Sequence, residues 1–265
     1  MDQLLETSPK TLKHEKERIS KYVFWEELAG KAVMGTDVIY HFYPIEFVTN
    51  LLSFDNDNDL KWLKVDRGQL TFDVEGNDLD DPSNPLHRYF SRKVHWPGGV
   101  SGITIGRGYD LGQRPNPETD LVSVGIKEPL LGWLLGSKGL SGSEASSYLN
   151  NASQEIRKTF ITRKQQYELF VPVYEFMKSE VIRISDKDDA VALYGRLNWD
   201  SLDSKIQDMA VDLIYRGDYT GASRSFIQRH MTSNNLSAFS DVIRDSSKWG
   251  NVPEDRFNRR VDYLR

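Results

Sequence analysis

The run Gly99-Val100-Ser101-Gly102-Ile103-Thr104-Ile105-Gly106-Arg107-Gly108-Tyr109-Asp110-Leu111-Gly112 is the most informative stretch of this 265-residue chain. Gly102 to Gly106 reads as a short strand bounded by glycines, because Ile, Thr and Ile all suit a pleated, half-buried surface. Gly108 and Gly112, followed by Pro115 and Pro117, require the backbone to keep turning well past that strand. Thr104 has two readings. It supplies β-propensity on a buried face, or its hydroxyl holds a water or a carboxylate, and spacing alone does not separate them.

Upstream of this run, residues 76–102 carry dense turn punctuation. Asn77 to Pro85 forms one loop, and Trp96-Pro97-Gly98-Gly99 forms another. Loops this long inside a compact domain are usually functional. Downstream the pattern changes to helices. Ser141 with Glu144 fits a capping box, and Ala145, Tyr148, Leu149, Ala152 and Ile156 share an apolar face. Helices follow at 161–184, 186–195, 201–216, 220–230, 235–245 and 253–264. Pro253 suits a first turn, with Glu254 and Asp255 at the positive end of the helix dipole.

The N-terminal part reads as helical and then irregular. Ile19, Tyr22, Val23, Leu28 and Val33 recur at roughly helical spacing between Lys10 and Val33. Residues 38–43 are an extended strand or connector ending at Pro44, and a second helix follows with Ile45, Phe47, Val48, Leu51 and Leu52 on its apolar face. Asp55-Asn56-Asp57-Asn58-Asp59 reads as a solvated turn. Its alternating carboxylates suggest a calcium loop, yet the Gly and distal Glu of an EF-hand are missing.

Composition narrows the function classes. A hydrophobic content of 38% with six Trp, 12 Tyr and 12 Phe argues against disorder. Net charge is −5, and no basic tail or stripe occurs, which argues against nucleic acid and against an anionic membrane surface. No run of 18 apolar residues suggests a membrane span, and the first 30 residues lack the apolar core of a signal peptide. Zero cysteines exclude disulfides, thiol nucleophiles and cysteine-based metal sites, and the five His show no close i, i+4 pair for zinc.

Between residues 75 and 110 lie Glu75, Asp78, Asp80, Asp81, His87, His95, Thr104 and Asp110. Glycosidic cleavage needs one protonated carboxyl group for the leaving oxygen and a second carboxylate on the other face of the sugar. Glu75 follows the apolar Phe72 and Val74, so partial desolvation would favour its acid form. An Asp on the wetter, glycine-rich loop would keep its charge. The alternative is that these acids simply solvate loops. His87 and His95 read as loop hydrogen-bonders. Trp96, Trp133 and Tyr109 either stack on a ligand or anchor the core, and Arg107 either holds Asp110 or forms a surface ion pair.

Gly99–Gly112 resembles the pesticin-like toxin homologues of phage lysozyme. In that family a Glu-Gly step precedes the Thr-Ile-Gly strand, as Glu75-Gly76 does here, and an Asp follows the Thr six residues later, as Asp110 follows Thr104. A second match lies further on. Trp199-Asp200-Ser201-Leu202-Asp203, Gly217-Asp218-Tyr219-Thr220-Gly221 and Ser246-Ser247-Lys248-Trp249-Gly250-Asn251 with Pro253 resemble the helical lobe of T-even phage lysozyme. The likeness covers about residues 70–159 and 199–265, with Ser141–Leu149 similar to the helix that joins the lobes.

The resemblance implies an α+β, two-lobed lysozyme-like fold. It comprises an N-terminal helical extension (1–66), a small loop-rich α/β lobe with the catalytic cleft (67–140) and a helical lobe (141–265) in which 160–198 is an insertion. It implies a muramidase that cleaves the β-1,4 bond between N-acetylmuramic acid and N-acetylglucosamine in peptidoglycan. Glu75 takes the place of the general acid, and Thr104 that of the threonine that positions water. Arg256 takes the place of an arginine packed against the acid, with Arg259 or Arg260 as alternatives. The second carboxylate of the phage enzyme has no counterpart in Trp96–Gly99, so the role falls to Asp110, with Asp81 or Asp78 as competitors. Trp96, Arg107 and Tyr109 are supporting candidates. No metal or organic cofactor is implied. The expected setting is an antibacterial toxin or effector, delivered from the producer cytoplasm to the periplasm of a target bacterium, monomeric, with a cognate immunity protein. A non-catalytic wall-binding module and a lytic transglycosylase are the competing readings.

Overall fold

The computed structural model describes residues 56–265, which belong to a compact unit beginning at Asp55. The features expected at 10–33, 38–43 and 45–52 lie outside the described residues. The described chain is mostly helical with one two-stranded antiparallel sheet, an α+β arrangement. Among the described residues no helix is long and apolar enough to cross a membrane.

Asn56 to Asp59 forms a turn, in which Asp59 N–H donates to the Asn56 carbonyl at 2.7 Å. No cluster of three or more metal-ligating side chains occurs among the described residues. Residues 56–66, the described part of the expected N-terminal extension (1–66), pack on the long helix that starts at Arg163. Lys164 N–H donates to the Asp57 carbonyl at 2.8 Å, and the Tyr167 hydroxyl donates to Asp66 at 3.0 Å.

Helix α1 (Gln69–Val74) follows, and Leu70, Thr71 and Phe72 are all buried. A long connection with one 3-10 turn (Pro85–Tyr89) then leads to β1 (Thr104–Ile105) and β2 (Tyr109–Asp110). The strands pair Thr104 with Asp110 and Ile105 with Tyr109. Two short helices come next, α2 (Pro117–Ser123) and α3 (Leu130–Gly136). Neither stood out in the sequence. Pro117 at the first helical position, with Glu118 and Asp120 in the first turn, starts α2 as expected for that chemistry. In α3, glycines at 132 and 136 interrupt the apolar pattern.

Helix α4 (Gly142–Asn150) starts at Ser141, but the expected capping box does not form. Backbone groups hold the helix start instead, because Gly142 N–H donates to the Ser101 carbonyl at 3.0 Å. A break separates α4 from α5 (Gln154–Lys158), so the apolar face expected from Ala145 to Ile156 spans two helices. The remaining helices fall within a few residues of expectation. They are α6 (Arg163–Ser185), α7 (Asp188–Tyr194), α8 (Ser204–Arg216), α9 (Gly221–Thr232), α10 (Leu236–Arg244) and α11 (Glu254–Tyr263).

The apolar core forms two clusters. One gathers Leu70 and Phe72 of α1 with residues of α8 to α11, such as Ile206, Leu213, Ile227 and Phe239. The other gathers the β1–β2 ribbon with α2 to α5, through Ile103, Ile105, Leu121, Leu134 and Ala145. Helix α6 serves both. Leu169 and Val173 enter the second cluster, while Phe170, Tyr174 and Val181 enter the first. One residue rotates a helix by about 100°, so two adjacent stripes at i, i+4 spacing face two different cores.

Candidate active site

A cleft of about 920 Å³ opens where elements from both clusters meet. Glu75 and Gly76 from the end of α1 line it, as do His95, Trp96, Thr104 and Asp110 from the ribbon side. Tyr215 from α8 and Arg259 from α11 also line it, with Asp73, Arg88, Arg114 and Asp255 among its further polar residues. The structure therefore brings Glu75, Thr104, Asp110 and Trp96 into one space. Asp78 and Asp81 do not line it. Asp78 is held between Arg92 and Arg163, each at 2.6 Å, and Asp81 accepts the Ser83 hydroxyl at 2.7 Å on the surface.

Glu75 is the C-cap of α1, and its side chain is 21% exposed. Burial raises its pKa, although Arg256 pulls the other way, and the charge of Asp212 adds to the rise. Arg256 donates through Nη1 to Glu75 Oε1 at 2.7 Å and through Nη2 to Asp212 Oδ1 at 2.6 Å. Of the three arginines weighed from the sequence, Arg256 is the one on the acid. Arg260 donates through Nε to Asp212 Oδ2 at 2.6 Å. Its Nη2 lies 2.8 Å from Asp218 Oδ2, an ion-pair contact without hydrogen-bond alignment. Asp212 is fully buried and Arg260 is 1% exposed. The acid thus stands at the open end of an alternating chain, Glu75–Arg256–Asp212–Arg260–Asp218. Burial opposes the charge on Arg256, but Asp212 and Glu75 more than offset it, so its pKa is raised.

The sequence reading missed this chain, although a signal was present. Asp212 interrupts the run Met209-Ala210-Val211-Asp212-Leu213, and Arg256 and Arg260 are spaced to share one helix face. A charge in a core-type run requires a buried partner.

Three side chains stand in a row on the ribbon. Thr104 pairs with Asp110 on one side, and on the other it exchanges both backbone hydrogen bonds with His95, at 2.9 and 2.8 Å. Residues directly opposite each other across antiparallel strands project to the same face. His95, Thr104 and Asp110 therefore share one face, and all three line the cleft. Thr104 is 3% exposed, and its hydroxyl lies 3.4 Å from the Gly102 carbonyl.

The Asp110 carboxylate is heavily engaged. Oδ1 accepts Gly102 N–H at 3.1 Å and Gly112 N–H at 2.8 Å, while Oδ2 accepts Gly102 N–H at 3.1 Å and the Gln113 amide at 3.3 Å. These bonds require backbone close to the carboxylate. A Cβ on Gly102 would lie 2.4 Å from Asp110 Oδ1 and 2.7 Å from the Leu140 carbonyl oxygen. Gly108, at φ +81°, leaves room for Tyr215, whose hydroxyl occupies the place of a Cβ. Burial and the nearby Glu75 charge push the Tyr215 pKa well up, so this phenol stays neutral.

Arg107 follows neither of its two readings, and Tyr109 takes the core-anchor reading and not that of a supporting site residue. Arg107 is 4% exposed and neither holds Asp110 nor forms a surface ion pair. It donates to the carbonyls of Phe72, at 2.9 Å, and Gly76, and its guanidinium lies 4.6 Å from the Phe72 ring centre. It clamps the backbone on both sides of Glu75, and burial lowers its pKa to about 10. Tyr109 is fully buried, with its hydroxyl donating to Asp120 at 2.7 Å, because Ile105 and Tyr109 form the pair that faces the core. Trp133 packs on Tyr148 at 4.9 Å rather than on the cleft. Trp96 does line the cleft, anchored by its indole N–H to the Ser101 carbonyl at 3.0 Å.

The fold and site define an α+β domain with a braced, partly desolvated acid in a large polar cleft. Residues 68–261 match the domain of unknown function DUF8812, and the chain belongs to that family. No curated protein matches it.

Proposed function

We propose that this chain is a peptidoglycan hydrolase, a muramidase with a lysozyme-like fold, and that it forms the lytic domain of an antibacterial toxin or effector. Glu75 is the general acid that protonates the glycosidic oxygen. Thr104 and Asp110 orient the attacking water. The observation that carries this reading is the Glu75 carboxyl group, raised in pKa by burial, in the same cleft as the Thr104–Asp110 pair. A raised carboxyl pKa favours the acid form that leaving-group protonation requires. The cleft's size suits several sugar rings, and exposed Leu86 and Tyr89 with Trp96 offer apolar surface for pyranose faces. Peptidoglycan is then the substrate, and an immunity protein is the partner that would protect the producer.

One observation favours a second reading. Asp110 spends its carboxylate on Gly102, Gly112 and Gln113, which suits a lytic transglycosylase that needs only one acid/base carboxyl group. Digestion of purified peptidoglycan by wild type and Glu75→Gln, with soluble products identified by mass spectrometry, tests both. Reducing muropeptides from wild type alone are expected, and anhydro products would move the assignment to the transglycosylase. Release of the same products by Glu75→Gln would overturn the role of Glu75. Wall binding without any product would make the chain a binding module.

A further inference from the structure

The hydrolytic reading leaves a proton unassigned. Attacking water must lose one, and the lone pairs of Asp110 already accept N–H groups from Gly102, Gly112 and Gln113. The third member of the row, His95, has a ring nitrogen to spare. Its Nδ1 lies 3.1 Å from the Lys93 carbonyl, which can only accept, so Nδ1 carries the hydrogen. In the neutral ring Nε2 is then an acceptor, and among the described residues no group bonds to it, although His95 lines the cleft. Burial lowers the His95 pKa, and of the charges acting on it Lys93 lowers and Asp110 raises it. Burial thus favours the neutral ring, and the backbone pairing with Thr104 puts the His95 side chain on the cleft face that Thr104 shares.

We infer that His95 is the base of this cleft, taking a proton from the water that Thr104 orients. The inference rests on the hydrolase reading. In the step, the water oxygen forms a bond to the anomeric carbon while the bond from that carbon to the glycosidic oxygen breaks. One water proton passes to His95 Nε2, and the Glu75 proton passes to the leaving oxygen. Water has then been added across the bond, and the two side chains exchange their protons with solvent. The pairing needs Glu75 protonated and His95 neutral at once.

The test compares wild type, His95→Gln and His95→Ala by release of reducing ends from purified peptidoglycan across pH, with wall binding measured alongside. Loss of a general base is worth about 10²–10⁴-fold. His95→Gln should fall by that amount with binding unchanged, and the acidic limb of the wild-type kcat/KM profile should vanish. Added imidazole should restore turnover to His95→Ala. In case both variants fail to fold, NMR titration of the His95 Cε1 proton in wild type should give a pKa that coincides with the acidic limb. Wild-type activity with an unchanged His95→Gln profile, or with a His95 pKa away from that limb, would overturn the role of His95 alone. A wild type that releases no reducing ends would overturn the hydrolase reading and this role with it.

Discussion

Asp212→Asn removes one negative charge from the middle of the buried chain while keeping the side chain's shape. Each Asp212 oxygen accepts one guanidinium N–H at 2.6 Å, from Arg256 and from Arg260. An amide oxygen can keep one of these bonds, but its NH₂ group then meets the other guanidinium donor to donor. If the amide keeps Arg256, Arg260, at 1% exposure, is left with Asp218 as its ion-pair partner. Removing one partner of a buried ion pair costs about 3–5 kcal/mol, because a charge is left uncompensated. Each kcal/mol shifts Tm by about 2–4 °C for a domain of roughly 150–250 residues, so the variant should melt about 6–20 °C lower. The Asp212 charge also helps to raise the Glu75 pKa, so its loss should move any alkaline limb of activity to lower pH. Calorimetry at pH 7 gives the first effect, with Asp218→Asn as comparator. Asp218 is 14% exposed and should cost less. A loss below about 1 kcal/mol for Asp212→Asn would refute the view that this bridge is a coupled, desolvated unit.

The Glu75 pKa is raised above the ordinary value of 4.5, so the folded protein holds a proton that the unfolded chain has released. Stability attributable to Glu75 is present below pH 4.5 and is lost as pH rises through the folded value. Glu75→Gln cannot ionise, so its Tm advantage over wild type should be absent in acid and grow toward neutral pH. An advantage that shrank with rising pH would reverse the sign of the argument. Tyr109→Phe removes a hydrogen bond to the Asp120 carboxylate but keeps the ring on which the cleft-lining Arg114 rests, 5.2 Å from its centre, and Tyr109 does not itself line the cleft. It should cost about 1.5–3 kcal/mol of stability by denaturant unfolding, with wall turnover unchanged. A specific loss of turnover would return Tyr109 to the site.

The helical half of the fold was legible because its signals are local. Pro253 before Glu254 and Asp255, the Thr220-Gly221 start and the segment from Asp203 through Leu213 to Gly217 each announce a helix within a few residues. The small helices α1, α2 and α3 are hidden because six or seven residues give fewer than two turns of pattern, and in α3 glycines break it as well. Thr104 and Asp110 are linked in the sequence only through the family resemblance, and the structure makes them a cross-strand pair. Arg107 and Tyr109 could not be placed from spacing. Two-residue strands have no alternation long enough to show which side is inside, and a one-residue error in register exchanges the faces. In the sequence His95 reads as a loop residue, because its pairing with Thr104 is an isolated bridge. A contact between segments this irregular leaves no period in the sequence.

The cost of a desolvated acid also explains why the brace is so extensive. Glu75 sits at the end of a six-residue helix, which by itself would fray. Three independent attachments hold it. Phe72 is fully buried in the first cluster, Arg107 bonds the carbonyls of residues 72 and 76, and Arg256 bonds the carboxylate itself. The opposite polar row is fixed by different means, since Ile103 and Ile105 beside Thr104 are buried in the second cluster. These two anchorages would be free to drift if the clusters were independent. They share α6, whose adjacent stripes 169/173 and 170/174 pack into one cluster each, and a helix cannot twist one stripe without carrying the other. The acid and the His95–Thr104–Asp110 row are therefore held in register by a helix that contributes no polar group to either. A large-to-small change at Leu169 or Phe170 should loosen that register before it unfolds the chain.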